Sequence, residues 1–187
     1  MAGVRTKRQF SVIALGSVNP YEGFTSEAIR IVLIPVADCS REVWVLSNQN
    51  MRFEDSPPNP EDFVRLRAEC GWGDITLEAA IEALSGSVID LTCFDGTELV
   101  GMGRIVGDGA LYFYLQDIIV KSTQQGQAIG GKIVSKLTDK ALARAQIGAT
   151  IGLMSAKGKE GLYEHFGFQE RPNDHLGAGM SRFVLSR

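Results

Sequence analysis

The sequence predicts a mixed α/β (α+β) domain with a mostly antiparallel central sheet flanked by helices. Three observations point there. Apolar strand-like runs separated by tight Gly and Asp turns form a meander over 88–120. Segments with apolar residues at helical spacing stand before and after it. A glycine-rich stretch, Gln125-Gly126-Gln127-Ala128-Ile129-Gly130-Gly131, joins the last meander strand to the next helix.

Taken in order, residues 51–55 read as a short strand and Pro57-Pro58-Asn59-Pro60 as a loop. Asn59 is placed to cap a helix over 60–70, with Pro60 at its first position and Phe63, Leu66 and Cys70 on one face. Gly71-Trp72-Gly73-Asp74 breaks the pattern. Thr76 then caps a second helix, which Ser85-Gly86 ends. Runs at 88–94 and 99–106, joined by Asp95-Gly96-Thr97-Glu98, predict a hairpin. After the turn Gly107-Asp108-Gly109, residues 111–120 form a third long strand. The next helix spans 130–145, with Ile133, Val134, Leu137, Ala141 and Ala145 on its apolar side. A strand at 149–154, a short helix at 159–166 and a closing strand at 180–185 complete the pattern. Residues 1–50 lack this punctuation and read as an N-terminal extension, or as a misassigned upstream start. Peptides from 1–50 found in stoichiometric amount by mass spectrometry of the native protein would refute the second reading. The functional domain is expected to begin at Met51 and to run over 51–187.

The composition sets limits. Hydrophobic residues make up 44% of 187, enough for a core, and a net charge of −3 argues against a dedicated nucleic-acid binder. No apolar run reaches the ~18–20 residues that span a bilayer. The basic start Arg5-Thr6-Lys7-Arg8 followed by apolar residues resembles a signal peptide only faintly, because no small-x-small cleavage site follows. Cys39, Cys70 and Cys93 are scattered and form no CxxC pair; they read as small buried hydrophobes in a reducing cytoplasm. No His, Cys or carboxylate set has metal-ligand spacing, so neither a metal nor a membrane is expected.

A glycine-rich turn leading from a strand into a helix lets backbone amides approach an anion closely. The positive end of the helix dipole adds to the attraction. The loop therefore predicts a phosphate-bearing ligand. It is not a Walker A loop, because Gly131-Lys132 is followed by Ile133 and not by a hydroxyl residue. A Rossmann loop would follow the first strand of a parallel unit, which a meander contradicts.

This order of elements, with the loop between the fourth strand and a helix, resembles the GNAT N-acetyltransferase superfamily, whose loop pattern is Gln/Arg-x-x-Gly-x-Gly/Ala. Gln125, Ile129 and Gly130 fall in register, whereas Ala128 stands where the pattern has glycine. Leu162-Tyr163-Glu164-His165-Phe166-Gly167-Phe168 looks like the family's "FYxKxGF" segment, and Val100-Gly101-Met102-Gly103-Arg104 its "LVGxxR" strand. The resemblance covers about 51–187 and implies an acetyl-CoA-dependent N-acetyltransferase in the cytoplasm. Its acceptor would be a small primary amine, arylalkylamine or polyamine, attacking acetyl-CoA directly in a ternary complex. It also implies site residues. Backbone groups of Ile118, Ile119 and Val120 would hold the pantetheine arm, and amides of Gln125, Gly126, Gln127, Ala128, Ile129, Gly130 and Gly131 the pyrophosphate. Tyr163 would protonate the departing thiolate.

Some relatives carry a base on the fourth strand. Here that position is Gln116, a candidate substrate contact, with Asp117 beside it as the candidate catalytic carboxylate; strand alternation turns Asp117 to the other face unless a bulge intervenes. Trp72 is a candidate wall for the acceptor. Two rival readings are a degenerate acyl-CoA-binding or regulatory module and a protein N-acetyltransferase. The sequence leaves open whether the chain pairs into a homodimer through its last strand, 180–185.

Overall fold

The computed structural model describes residues 51–183. Its strands, in chain order, are β1 (Met51–Glu54), β2 (Ile89–Asp95), β3 (Glu98–Gly107), β4 (Tyr112–Val120) and β5 (Thr150–Gly152). The sheet runs in the order β1-β2-β3-β4-β5. Its first four strands are antiparallel neighbours, and β5 lies parallel to β4. The helices are α1 (Pro60–Glu69), α2 (Leu77–Ser85), α3 (Ile129–Arg144) and α4 (Glu160–Glu164).

Local chemistry explains the helix starts. The Asn59 Oδ1 accepts from the amide of Glu61 at 3.0 Å with Pro60 at the first helical position, and the Thr76 Oγ1 accepts from the amide of Ala79 at 3.2 Å. The hairpin turn is as expected, with Gly96 in the left-handed region at φ 60°. At the β3–β4 turn, Asp108 accepts from the amides of Ala110, Leu111 and Tyr112 at 2.8–2.9 Å.

The sheet has an apolar layer on each face. One packs Phe63 and Leu66 of α1 and Ala80 and Leu84 of α2 against Leu99, Met102 and Ile119. The other packs Ile129, Ile133, Val134, Leu137 and Ala141 of α3 against Leu91, Ile105, Phe113 and Leu115. Close approach of α3 depends on Gly103. A Cβ there would lie 2.7 Å from side-chain carbons of Ile118 and Ile133 and 2.8 Å from one of Leu137.

The sequence expectation differs from the fold at the C-terminal end. Residues 180–183, within the expected closing strand, pair with no strand and are exposed. The expectation for 184–185, and those for 1–50, lie outside the described residues.

Candidate active site

β4 organises the site in two ways. It pairs with β5 only over Tyr112–Tyr114, opposite Thr150–Gly152, and then parts from it. Beyond Tyr114, among the described residues, β4 has a strand partner on its β3 side alone. Parallel strands that diverge leave the facing peptide groups unpaired by the sheet. The residues 116–120 thus form an open edge available to an extended ligand.

The second feature is a bulge. Arg104 lies opposite Gln116 and Met102 opposite Ile119, so the single residue Gly103 faces both Asp117 and Ile118. Asp117 takes φ 52°, a left-handed conformation that Asp tolerates better than most residues. The extra residue reverses the alternation. Phe113 and Leu115 belong to the α3 layer before the bulge, whereas Ile118 and Val120 join it afterwards and Ile119 turns to the α1–α2 layer. Gln116 and Asp117 are therefore neighbours on one face, with the Gln116 Nε2 donating to the Asp117 Oδ1 at 3.3 Å. This is the condition under which the sequence allowed Asp117 to stand beside Gln116.

Asp117 is 2% exposed and both its oxygens are occupied. Oδ1 accepts from the Arg67 Nη1 at 2.6 Å, and Oδ2 from the Arg104 Nε at 2.7 Å. Arg104 also donates to the Ala83 carbonyl at 2.7 Å. One carboxylate on β4 thereby ties together α1, α2 and β3. The Arg67 guanidinium lies over the rings of Phe63 and Trp72, 5.6 and 5.7 Å from their centroids, and its Nη2 donates to the Trp72 carbonyl at 3.3 Å. Trp72 itself is 39% exposed, and Arg67 links it to Asp117, which Gln116 also contacts. Arg67 and Arg104 escaped the sequence reading. Arg104 carried a signal in its "LVGxxR" register, but Arg67 carried none, because its partner is fifty residues away.

At the end of β4 the chain makes a short 3₁₀ turn and the glycine loop, then enters α3. Gly126 has φ 79° and Ala128, the residue that precedes the helix, φ 59° and ψ 12°. Glutamines pin the loop: the Gln125 Nε2 donates to the Val120 carbonyl at 3.1 Å, and the Gln127 Nε2 to the Gln124 Oε1 at 2.6 Å. The first turn of α3 leaves the amides of Ile129, Gly130 and Gly131 without intrahelical acceptors. Neither Gly130 nor Gly131 has a φ that demands glycine, and a Cβ at either would make only ordinary contacts at 3.7–4.0 Å. Packing within the chain does not require these two glycines, whereas close approach of a ligand to the helix start would.

Tyr163 lies on α4, half-buried, its ring edge-to-face with Phe168 at 6.1 Å. Burial raises the pKa of its phenol, which keeps the hydroxyl protonated at neutral pH. Its neighbours Leu162 and Phe166 approach Gly131 at the start of α3, so the fold brings the Tyr163 segment to the glycine loop. Burial likewise raises the thiol pKa of Cys93, to about 11, and that of the half-buried Cys70, which suits inert packing.

A cavity of about 360 Å³ lined by Asp55, Val88, Ile89, Asp90, Lys140 and Arg144 lies toward the C-terminal end of α3, away from the glycine loop at the other end of that helix. Among the described residues, no group of His, Cys and carboxylate side chains could hold a metal, and no helix is long and apolar enough to cross a membrane.

Comparison with known proteins agrees with this geometry. Residues 90–170 match the family model of the acetyltransferase (GNAT) domain. A crystal structure from methicillin-resistant Staphylococcus aureus, described as a probable acetyltransferase, is 28% identical with a TM-score of 0.65, and the match covers 71% of this chain and 99% of that one. A GNAT-family acetyltransferase of Streptococcus pneumoniae is 25% identical (TM-score 0.59, 73% and 98% covered). Glucosamine-6-phosphate N-acetyltransferase of Arabidopsis thaliana, at 15% identity, shares the fold (TM-score 0.53, 72% and 99% covered). No curated protein sequence matches. With a meander sheet that parts at its fourth strand, a glycine loop at the start of α3 and a family model that matches over residues 90–170, the chain carries a GNAT acetyltransferase domain and shares the fold of GNAT-family acetyltransferases.

Proposed function

We propose that the protein is an acetyl-CoA-dependent N-acetyltransferase that acts on a small primary amine by direct transfer in a ternary complex. The observation that carries the proposal is the parting of β4 from β5 after Tyr114, which leaves the edge 116–120 open just before the glycine loop. Backbone groups of Ile118, Ile119 and Val120 are suited to pair with the amide-bearing pantetheine arm as another strand would. The amides of Gln125, Gly126, Gln127 and Ala128, with those of Ile129, Gly130 and Gly131 in the first turn of α3, are suited to the pyrophosphate.

In the transfer, the neutral amine attacks the thioester carbonyl, a C–N bond forms and the C–S bond breaks. The amine gives up one proton to solvent water and the departing thiolate gains one. Tyr163 supplies the latter, a role supported by its protonated, half-buried hydroxyl. We assign Asp117 a positioning role, since both its oxygens already accept from guanidinium groups. Gln116 and Trp72 line the acceptor side of the same face.

A catalytically silent acyl-CoA-binding module is the second reading, supported by the neutral Gln116 where some relatives carry a base. The deciding experiment is thiol release from acetyl-CoA over a panel of amines and peptides, with Tyr163→Phe in parallel. We expect turnover with one amine class, lowered at least ~10-fold in the variant. Bound acetyl-CoA without turnover on any acceptor would establish the silent module instead. Turnover on peptides alone would make the protein a protein N-acetyltransferase.

A further inference from the structure

The acceptor face holds a charge that the transfer itself does not use. Arg67 and Arg104 share the single carboxylate of Asp117, so this cluster of three carries one positive charge in excess. Asp90 stands opposite Arg104 in the β2–β3 register, and among the described residues Arg67 pairs with no carboxylate other than Asp117. Arg67 is the more exposed of the two guanidinium groups. It lies between the Phe63 and Trp72 rings, with its side chain still 17% exposed. Its Nη2 is held only by a long bond to the Trp72 carbonyl, 3.3 Å, which leaves N–H donors on the fork uncommitted.

The surroundings give a ligand room. A Cβ at Gly71 or Gly73, on either side of the exposed Trp72, would meet nothing within 4 Å. A guanidinium placed by two aromatic rings and one ion pair, with donors to spare, suits a planar or tetrahedral anion. The same charge, in partly buried surroundings, repels a second cation.

We propose that Arg67 is a specificity-determining residue that binds an anionic group of the acceptor, so that the substrate is a primary amine bearing a carboxylate or a phosphate. This narrows the acceptor against polyamines, and it rests on the acetyltransferase reading of the same face. Carboxylate and phosphate meet Arg67 through the same chemistry, and the arms of the test separate them.

The test measures kcat and KM of the full chain on matched amines: phenylalanine against 2-phenylethylamine, glucosamine 6-phosphate against glucosamine, and spermidine as the polycation. Arg67→Lys and Arg67→Gln run in parallel. We expect the anionic member of one pair to be favoured at least ~10-fold in kcat/KM. Both variants should reduce that preference chiefly through KM. Preference for a neutral amine or for spermidine overturns the inference while leaving acetyl transfer intact. A preference unchanged in the variants removes Arg67 from the role. Folded protein that binds acetyl-CoA and turns over no amine overturns the transferase reading, and this inference with it. Should the variants fail to fold, Trp72 emission in a Trp44→Phe background, titrated with acetate and with inorganic phosphate, decides the matter: a saturable change supports the contact, and its absence overturns it.

Discussion

Two residues show how much a single side chain decides in this protein. Ala128 occupies the left-handed region at φ 59°, where the family pattern has glycine. An L residue with a Cβ is strained there by about 1 kcal/mol. Ala128→Gly should therefore raise stability by up to about 1 kcal/mol in chemical denaturation, since relief of the strain outweighs the entropy that glycine adds to the unfolded chain. The amide of residue 128 survives the change, so acetyl-CoA binding should be retained in calorimetry. Tyr163 sets the alkaline limit of the proposed reaction. Burial raises its pKa above the ordinary value of about 10, and the donor is the protonated form. Activity should hold through neutral pH and fall only as the pH passes ~10, and that limb should be missing from the residual activity of Tyr163→Phe.

Between elements, β4 carries most of the information, because its register with β3 decides which side chains share a face. The bulge opposite Gly103 puts Asp117 where two guanidinium groups meet it. Breaking such a buried pair by removing one charge costs about 3–5 kcal/mol. Asp117→Asn should thus lower stability by roughly that amount, and loosen α1 and α2 together. Any loss of activity that remains at a temperature where the variant is folded should appear in KM for the amine; a loss confined to kcat would instead make Asp117 the base. On the opposite face, Gly103→Ala would press a methyl group against Ile118, Ile133 and Leu137. The stiff Cγ2 of Ile133 cannot swing away within a helix. A destabilisation of about 1–3 kcal/mol is expected, read from the denaturation midpoint.

At the scale of the whole molecule, structural relatives are covered almost end to end by about 71–73% of this chain. That a catalytic domain begins near Met51 stays a proposal, and a truncated chain tests it. A fragment of residues 51–187 should unfold in one cooperative transition and retain kcat/KM within about threefold of the full chain. A fragment that aggregates or loses acetyl-CoA binding would make residues 1–50 part of the working fold. Dimerisation through 180–185 stays a proposal: residues 180–183 leave Met180 and Phe183 exposed, and light scattering of the full chain tests it.

The sequence by itself determined what depends on near neighbours. Asn59 and Thr76 announced two helix starts, Gly96 a hairpin turn, and the run from Gln125 to Gly131 the entry to α3, because caps, turns and periodicity are settled within a few residues of chain. It also carried enough of the family's order to point to an acetyltransferase. What it could not determine is what depends on register between distant segments. Alternation alone left Asp117 facing either way; only the pairing of β3 with β4 turned it beside Gln116 and into the grip of Arg67 and Arg104. The left-handed turn at Ala128 and the unpaired residues 180–183 belong to the same class. Nothing local specifies how a bulge resolves, how a loop meets its helix or whether an edge finds a partner, because packing across the sheet sets those energies.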